Sequence, residues 1–185
     1  GRYIDHTRLK VETTRSDIAA FCEEAKQYGY AAVCFNPNYV AYAKELLASS
    51  PIKVATVIGF PLGATTPLAK RVEARDAVAA GADELDMVIN VGALKDEEYQ
   101  LVYDDIAGVV RSAGDKAIVK VILETSALTD EEKVLGSLLS ARAGAAFVKT
   151  STGFGSGGAT AHDVALMKRT VGENVQVKAS TGVKT

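Results

Sequence analysis

Short apolar runs alternate with longer amphipathic stretches along the whole chain. β-rich runs cover Tyr3 to Asp5, Ala31 to Phe35, Ile52 to Ile58, Glu84 to Val88, Ala117 to Leu123, Ala145 to Thr150 and Val175 to Ala179, and helical spacing of apolar positions fills the segments between them. Gly29, Gly81 and Gly144 stand just before strands in YGYAAVCF, AGADELDMV and AGAAFVKTS, where a left-handed helix C-cap suits glycine. Thr14 or Ser16, Thr129 and Thr160 precede helical runs and can supply side-chain N-caps. The unit repeats, in degenerate form, about every thirty residues.

Strand and helix in alternation predict a parallel sheet covered by helices, either closed as a (β/α)₈ barrel or open and doubly wound. A barrel spreads functional groups over the C-terminal ends of several strands, whereas an open sheet gathers them at one crevice. Here Asp5 ends the first run, Cys34 the second, Asp86 lies late in the fourth, Glu124 closes the fifth, and Lys149 and Lys178 lie late in the sixth and seventh. That spread favours an α/β fold of the TIM-barrel type, with about seven of the eight strands written in one domain over residues 1–185.

Composition narrows the partner. The chain has 185 residues, 48% of them hydrophobic, with a formal net charge of -2 and no basic block, so neither a nucleic acid nor a membrane surface is expected. No stretch approaches the roughly 18 apolar residues of a membrane span, GRYIDHTRLK is not a signal peptide, and a cytoplasmic location is expected. Cys22 and Cys34 form no Cys-x-x-Cys pair and only His6 and His162 could join them, so chemistry without a metal or cofactor is favoured.

The candidate chemistry centres on two lysines. Lys149 and Lys178 are 29 residues apart, one strand-helix unit, which predicts neighbouring strands roughly 5 Å apart. At ~6 Å and an effective dielectric of about 20, two ammonium groups repel by ~3 kcal/mol, or about two pKa units, before desolvation lowers the value further. A lysine neutral at pH 7 is the nucleophile of Schiff-base chemistry, and Asp86 in ELDMVIN is the expected proton carrier. Lys120 and Glu124 share one parity of their strand and are expected to form an interior ion-pair network.

The glycine-rich segment after Lys149 has two functional readings. Gly153, Gly155 and Gly158 match G-x-G-x-x-G, with Glu173 twenty residues beyond the first, as a dinucleotide fingerprint would have. Alternatively, the backbone N–H groups near Gly153, the helix start at Thr160 and a second glycine turn at Gly182 cradle a phosphate.

IDHTRLK, VCFNPNYV, VIGFPLG, ELDMVINVGALK, KVILET, FVKTSTGF and VKAS-x-GV together resemble the deoxyribose-phosphate aldolase family, through essentially all 185 residues. The resemblance implies a metal-independent class I aldolase that reversibly converts 2-deoxy-D-ribose 5-phosphate into acetaldehyde and D-glyceraldehyde 3-phosphate, in deoxyribonucleotide catabolism. It makes Lys149 the Schiff-base residue, Lys178 the neighbour that perturbs it and Asp86 the acid that relays protons with a water. Asp5, Cys34, Lys120, Thr152, Gly153 and Gly182 are expected to bind the small phosphorylated sugar, and a homodimer or higher homo-oligomer is expected. Two departures stand out. Thr181-Gly182-Val183-Lys184 replaces the family's Gly-Gly-Val-Arg, and the family's N-terminal helix and eighth strand-helix unit have no counterpart among these residues. A phosphate- or nucleotide-binding protein and a noncatalytic, truncated barrel are the alternatives.

Overall fold

The computed structural model describes residues 1–183, so Lys184 lies outside the described residues. The elements are β1 (Asp5–Arg8), α1 (Arg15–Tyr28), β2 (Ala32–Phe35), α2 (Val40–Leu46), β3 (Lys53–Ile58), α3 (Pro67–Ala79), β4 (Glu84–Val88), α4 (Val91–Lys95), α5 (Tyr99–Ala113), β5 (Ile118–Ile122), α6 (Asp130–Arg142), β6 (Phe147–Lys149), α7 (Ala161–Val171) and β7 (Gln176–Lys178). The strands pair in parallel in chain order from β1 to β7. The sheet is curled in the TIM-barrel manner. Asp5 on β1 forms ion pairs with Lys120 on β5 and Lys178 on β7, which a flat sheet with strands ~4.8 Å apart would hold far out of reach.

Local chemistry sets the helix starts as expected. Thr14 and Thr129 each accept a hydrogen bond from the N–H of the third residue of their helix, whose carboxylate in turn accepts one from the cap backbone N–H, and Thr160 caps α7 by accepting from the Asp163 N–H. Gly29 is the left-handed C-cap of α1, while Gly81 and Gly144 fall one place beyond the C-caps Ala80 and Ala143, still with positive φ. The first strand departs from the apolar pattern. It begins at Asp5 instead of ending there, because the β2 ladder starts at the Asp5–Ala32 pair and Tyr3 projects into solvent, 89% exposed.

Side-chain alternation divides the buried residues into two sets. Leu85, Met87, Val119, Val121 and Val148 face the helical layer with Val102, Ile106 and Met167, and such side chains contribute about 1.5–3 kcal/mol each when fully buried. The intervening positions all point inward: Asp86, Lys120 and Lys149 on β4 to β6, and a small apolar cluster, Cys34, Ala55 and Val57, on β2 and β3. A barrel strand is covered on both faces, so inward charges persist only where they pair.

A buried ion pair outside the barrel braces the ends of two strands. Lys70 of α3 donates to Asp105 of α5 at 2.5 Å and to the Val88 carbonyl at 3.0 Å, and its stem lies against Gly59 after β3. Burial raises the Asp105 pKa even against the Lys70 ammonium, and the second carboxylate oxygen has no hydrogen-bond partner. Lys70→Ala is expected to lower unfolding free energy by about 3–5 kcal/mol, whereas Lys70→Met with Asp105→Leu recovers most of it. Urea titration of the three proteins tests this, and a single variant as stable as the parent would exclude it.

Candidate active site

Six charged side chains from five strands meet inside the curl. Asp86 is fully buried on β4. Its Oδ2 accepts a hydrogen bond from Lys149 Nζ at 2.7 Å, and its Oδ1 lies 3.1 Å from Lys120 Nζ without hydrogen-bond alignment. Lys120, directly opposite Asp86 in the ladder, also donates to Asp5 at 2.8 Å and pairs with Glu84. Asp5 in turn pairs with Lys178. Three ammonium groups and three carboxylates therefore offset one another, which is how an interior poor in water tolerates them.

The pairing decides the protonation states. Burial disfavours the charged form of Asp86, but the Lys149 and Lys120 ammonium groups pull its pKa below the ordinary carboxylate value. Asp5 is lowered in the same way: burial opposes ionisation, and Lys120 and Lys178 overcome it. Burial acts to lower the Lys149 pKa, yet the Asp86 charge reverses this and the pKa is raised. Lys120 is raised far above its usual range by Asp86, Asp5 and Glu84, against burial.

The raised Lys149 corrects the expectation from spacing. Lys149 and Lys178 are indeed ladder partners, but each ammonium group has its own carboxylate, so attraction within the pairs exceeds repulsion between them.

These shifts set a pH window for stability. The charged forms of Asp86 and Asp5 contribute fully above the ordinary value of 3.8, and this contribution is lost as pH falls through their lower native values. The Lys120 contribution is complete below 10.5 and lost only at higher pH. A melting temperature that holds between these limits and falls on the acid side is expected. Lys120→Met should move the acid edge upward, because both carboxylates lose an ammonium neighbour; an unmoved edge would show that this cluster does not set it.

The remaining expected residues are distributed around this cluster. Cys34 is buried next to Asp86 and Lys149, and burial followed by the Asp86 charge pushes its thiol up to about 12, so it is an uncharged wall and no nucleophile. Glu124 is outside the Lys120 network, contrary to its parity. β5 ends at Ile122, and Glu124 adopts a left-handed backbone (φ 57°) that turns its carboxylate toward the Thr152 N–H and hydroxyl. Sequence reasoning missed Glu84, although its spacing of two from Asp86 on one strand was a usable signal.

Two loops cover the ends of β6 and β7. Thr150 and Ser180 exchange hydrogen bonds, Ser151 N–H donates to Ser180 Oγ at 3.1 Å, and Ala159 N–H donates to the Thr181 carbonyl at 2.8 Å. Gly158 must lack a side chain here, since a Cβ would lie 2.6 Å from that carbonyl. Thr181 sits at φ 63°, a left-handed position that glycine takes at lower cost, between Ser180 and Gly182 (φ 77°). Gly153 is left-handed as well. The dinucleotide reading of this segment fails on charge: a Cβ on Gly155 would meet the Glu124 carboxylate at 2.8 Å, so an anion sits under the middle glycine.

Among the described residues one group has metal-ligand spacing, Asp130, His162 and Asp163 at the starts of α6 and α7. Lys133 already supplies a cation there, 3.0 Å from Asp130 and 2.7 Å from Asp163. Among the same residues no helix is long and apolar enough to cross a membrane.

The family profile DeoC/LacD family aldolase matches residues 2–185. Deoxyribose-phosphate aldolase of Bacillus cereus (strain AH820) is 60% identical over 185 residues, all of this chain and 83% of that protein. The enzyme of Lysinibacillus sphaericus (strain C3-41) is 58% identical over 184 residues, 100% of this chain and 82% of the relative. Among solved structures, the tetrameric deoxyribose phosphate aldolase of Aeropyrum pernix superposes with a TM-score of 0.87 at 34% identity, over 98% of this chain and 76% of that one.

Proposed function

This chain belongs to the DeoC/LacD family of aldolases, and we propose that it cleaves 2-deoxy-D-ribose 5-phosphate reversibly through an imine on Lys149. The observation that carries the residue assignment is the 2.7 Å contact between Lys149 Nζ and a fully buried Asp86 carboxylate. A lysine held as an ammonium ion needs a proton acceptor within reach before it can attack, and Asp86 is that acceptor.

Transfer of the ammonium proton to Asp86 leaves a neutral Lys149 amine beside the Lys120 and Lys178 ammonium groups, both of which oppose its reprotonation. The amine adds to C1 of the open-chain sugar phosphate, and loss of water gives a protonated imine. Asp86 gives its proton to the departing water, and its carboxylate, directly or through a water, then takes the C3 hydroxyl proton as the C2–C3 bond breaks. Glyceraldehyde 3-phosphate leaves, and the bonding pair is retained in the enamine. Asp86, directly or through a water, returns a proton to C2, and hydrolysis of the imine releases acetaldehyde.

Asp5 and Glu84 keep Lys120 charged and aligned, and Lys178 remains anchored on Asp5. The left-handed turns at Gly153 and Gly182, with Thr152, are assigned to the phosphate end of the substrate. A homo-oligomer is proposed in line with the tetrameric relative. A cytoplasmic site of action agrees with two free, buried cysteines.

Borohydride reduction in the presence of acetaldehyde tests the assignment. Peptide mass spectrometry is expected to place an ethyl adduct on Lys149 alone, slowed in Lys178→Ala. An adduct on Lys178 would exchange the two roles, and none in a folded sample would mean that this chain is a noncatalytic scaffold.

A further inference from the structure

Two aromatic rings meet across the opening of the curled sheet. Phe60 lies in the loop after β3 and Phe154 in the loop after β6, and their rings meet edge to face with centroids 5.3 Å apart at 90°. β3 and β6 stand three places apart in the sheet, so these loops, both leaving C-terminal strand ends, span the mouth. Phe60 also packs on the inward cluster of Cys34, Ala55 and Val57, roofing the apolar half of the interior.

Phe154 is 59% exposed, and polar contacts from a third strand hold it in place. The Glu124 carboxylate at the end of β5 accepts from both the N–H and hydroxyl of Thr152, and Thr152 Oγ1 accepts from Phe154 N–H at 3.0 Å. Glu124 keeps a left-handed backbone that few non-glycine residues adopt, and its carboxylate underlies Gly155, immediately after Phe154. Strain of this kind persists where surrounding contacts enforce it, and here those contacts converge on the residue facing Phe60.

We propose that Phe154, positioned by the Glu124–Thr152 clamp against Phe60, is a specificity-determining residue for the acceptor aldehyde, closing the apolar side of the mouth. The acceptor then enters only over the polar side, beneath the hydroxyl and glycine loops that follow β6 and β7. A short phosphorylated hydroxyaldehyde fits that route, and a longer aliphatic aldehyde is refused. The proposal rests on the imine reading of Lys149. It concerns the second substrate, not the formation of the imine.

The test measures aldol addition of acetaldehyde to D-glyceraldehyde 3-phosphate and to hexanal, with borohydride trapping of acetaldehyde as a separate readout. Phe154→Ala is expected to keep trapping on Lys149 at the parent rate. It should raise KM for glyceraldehyde 3-phosphate by about 2- to 12-fold, as loss of one aromatic pair predicts, with kcat little changed. The ratio of kcat/KM for hexanal to that for the phosphorylated acceptor should rise by about tenfold. Glu124→Gln, which weakens the hold on Thr152 without touching the phosphate end, should shift the ratio the same way, and Phe154→Leu less. An unchanged ratio in Phe154→Ala, or equal losses for both acceptors, overturns the proposal. Failure of the parent protein to trap acetaldehyde on Lys149 overturns the imine reading instead.

Discussion

Lys149→Ala is expected to reduce cleavage of 2-deoxy-D-ribose 5-phosphate by about 10⁴-fold or more, the scale seen when a covalent nucleophile is removed. Among the described residues, no other amine of the cluster is free to replace it. Lys120 is held by three carboxylates and its pKa is raised still further, and Lys178 is tied to Asp5. The fold should survive, since Asp86 keeps Lys120 at 3.1 Å and the outward core is untouched. Turnover assays, with circular dichroism to show that the variant is folded, provide the check. A folded Lys149→Ala protein with more than about a hundredth of parental activity would exclude an obligatory imine at this position.

Asp86→Asn is expected to separate imine formation from turnover. Removing the carboxylate takes away the charge and the hydrogen bond that raise the Lys149 pKa, leaving burial and the Lys120 ammonium, both of which lower it. The neutral amine therefore becomes available at lower pH, and borohydride trapping of acetaldehyde should extend in that direction. Cleavage, which also needs a group to carry protons to and from the substrate, should fall by about 10²- to 10⁴-fold. The measurement is the pH profile of trapping set beside that of cleavage. If both decline together, without a shift in the trapping profile, Asp86 serves only to hold the lysine.

Much of the site was legible because each of its main residues violates a local pattern. Lys149, Asp86 and Lys120 interrupt strands that are apolar apart from Glu84, and the structure brings all three together. Thr14, Thr129 and Thr160 were equally legible, since a side-chain cap acts within three residues. Asp5 was found, but at the wrong end of its strand, because register depends on which residue of β2 it faces. Glu124 was misplaced because parity holds only while the strand continues, and the left-handed turn at this residue ends it.

The sequence alone determined the order of the elements, their helix caps and the charged residues that an apolar strand would not otherwise carry, because propensity, capping and alternation act between near neighbours. Only the tertiary structure decided which charges pair, that Lys149 is held as an ammonium ion, and that rings from two distant loops bridge the mouth. Coulomb energies and ring contacts depend on distance in space, and Asp5 and Lys120, 115 residues apart in the chain, come within 2.8 Å only once the sheet has curled.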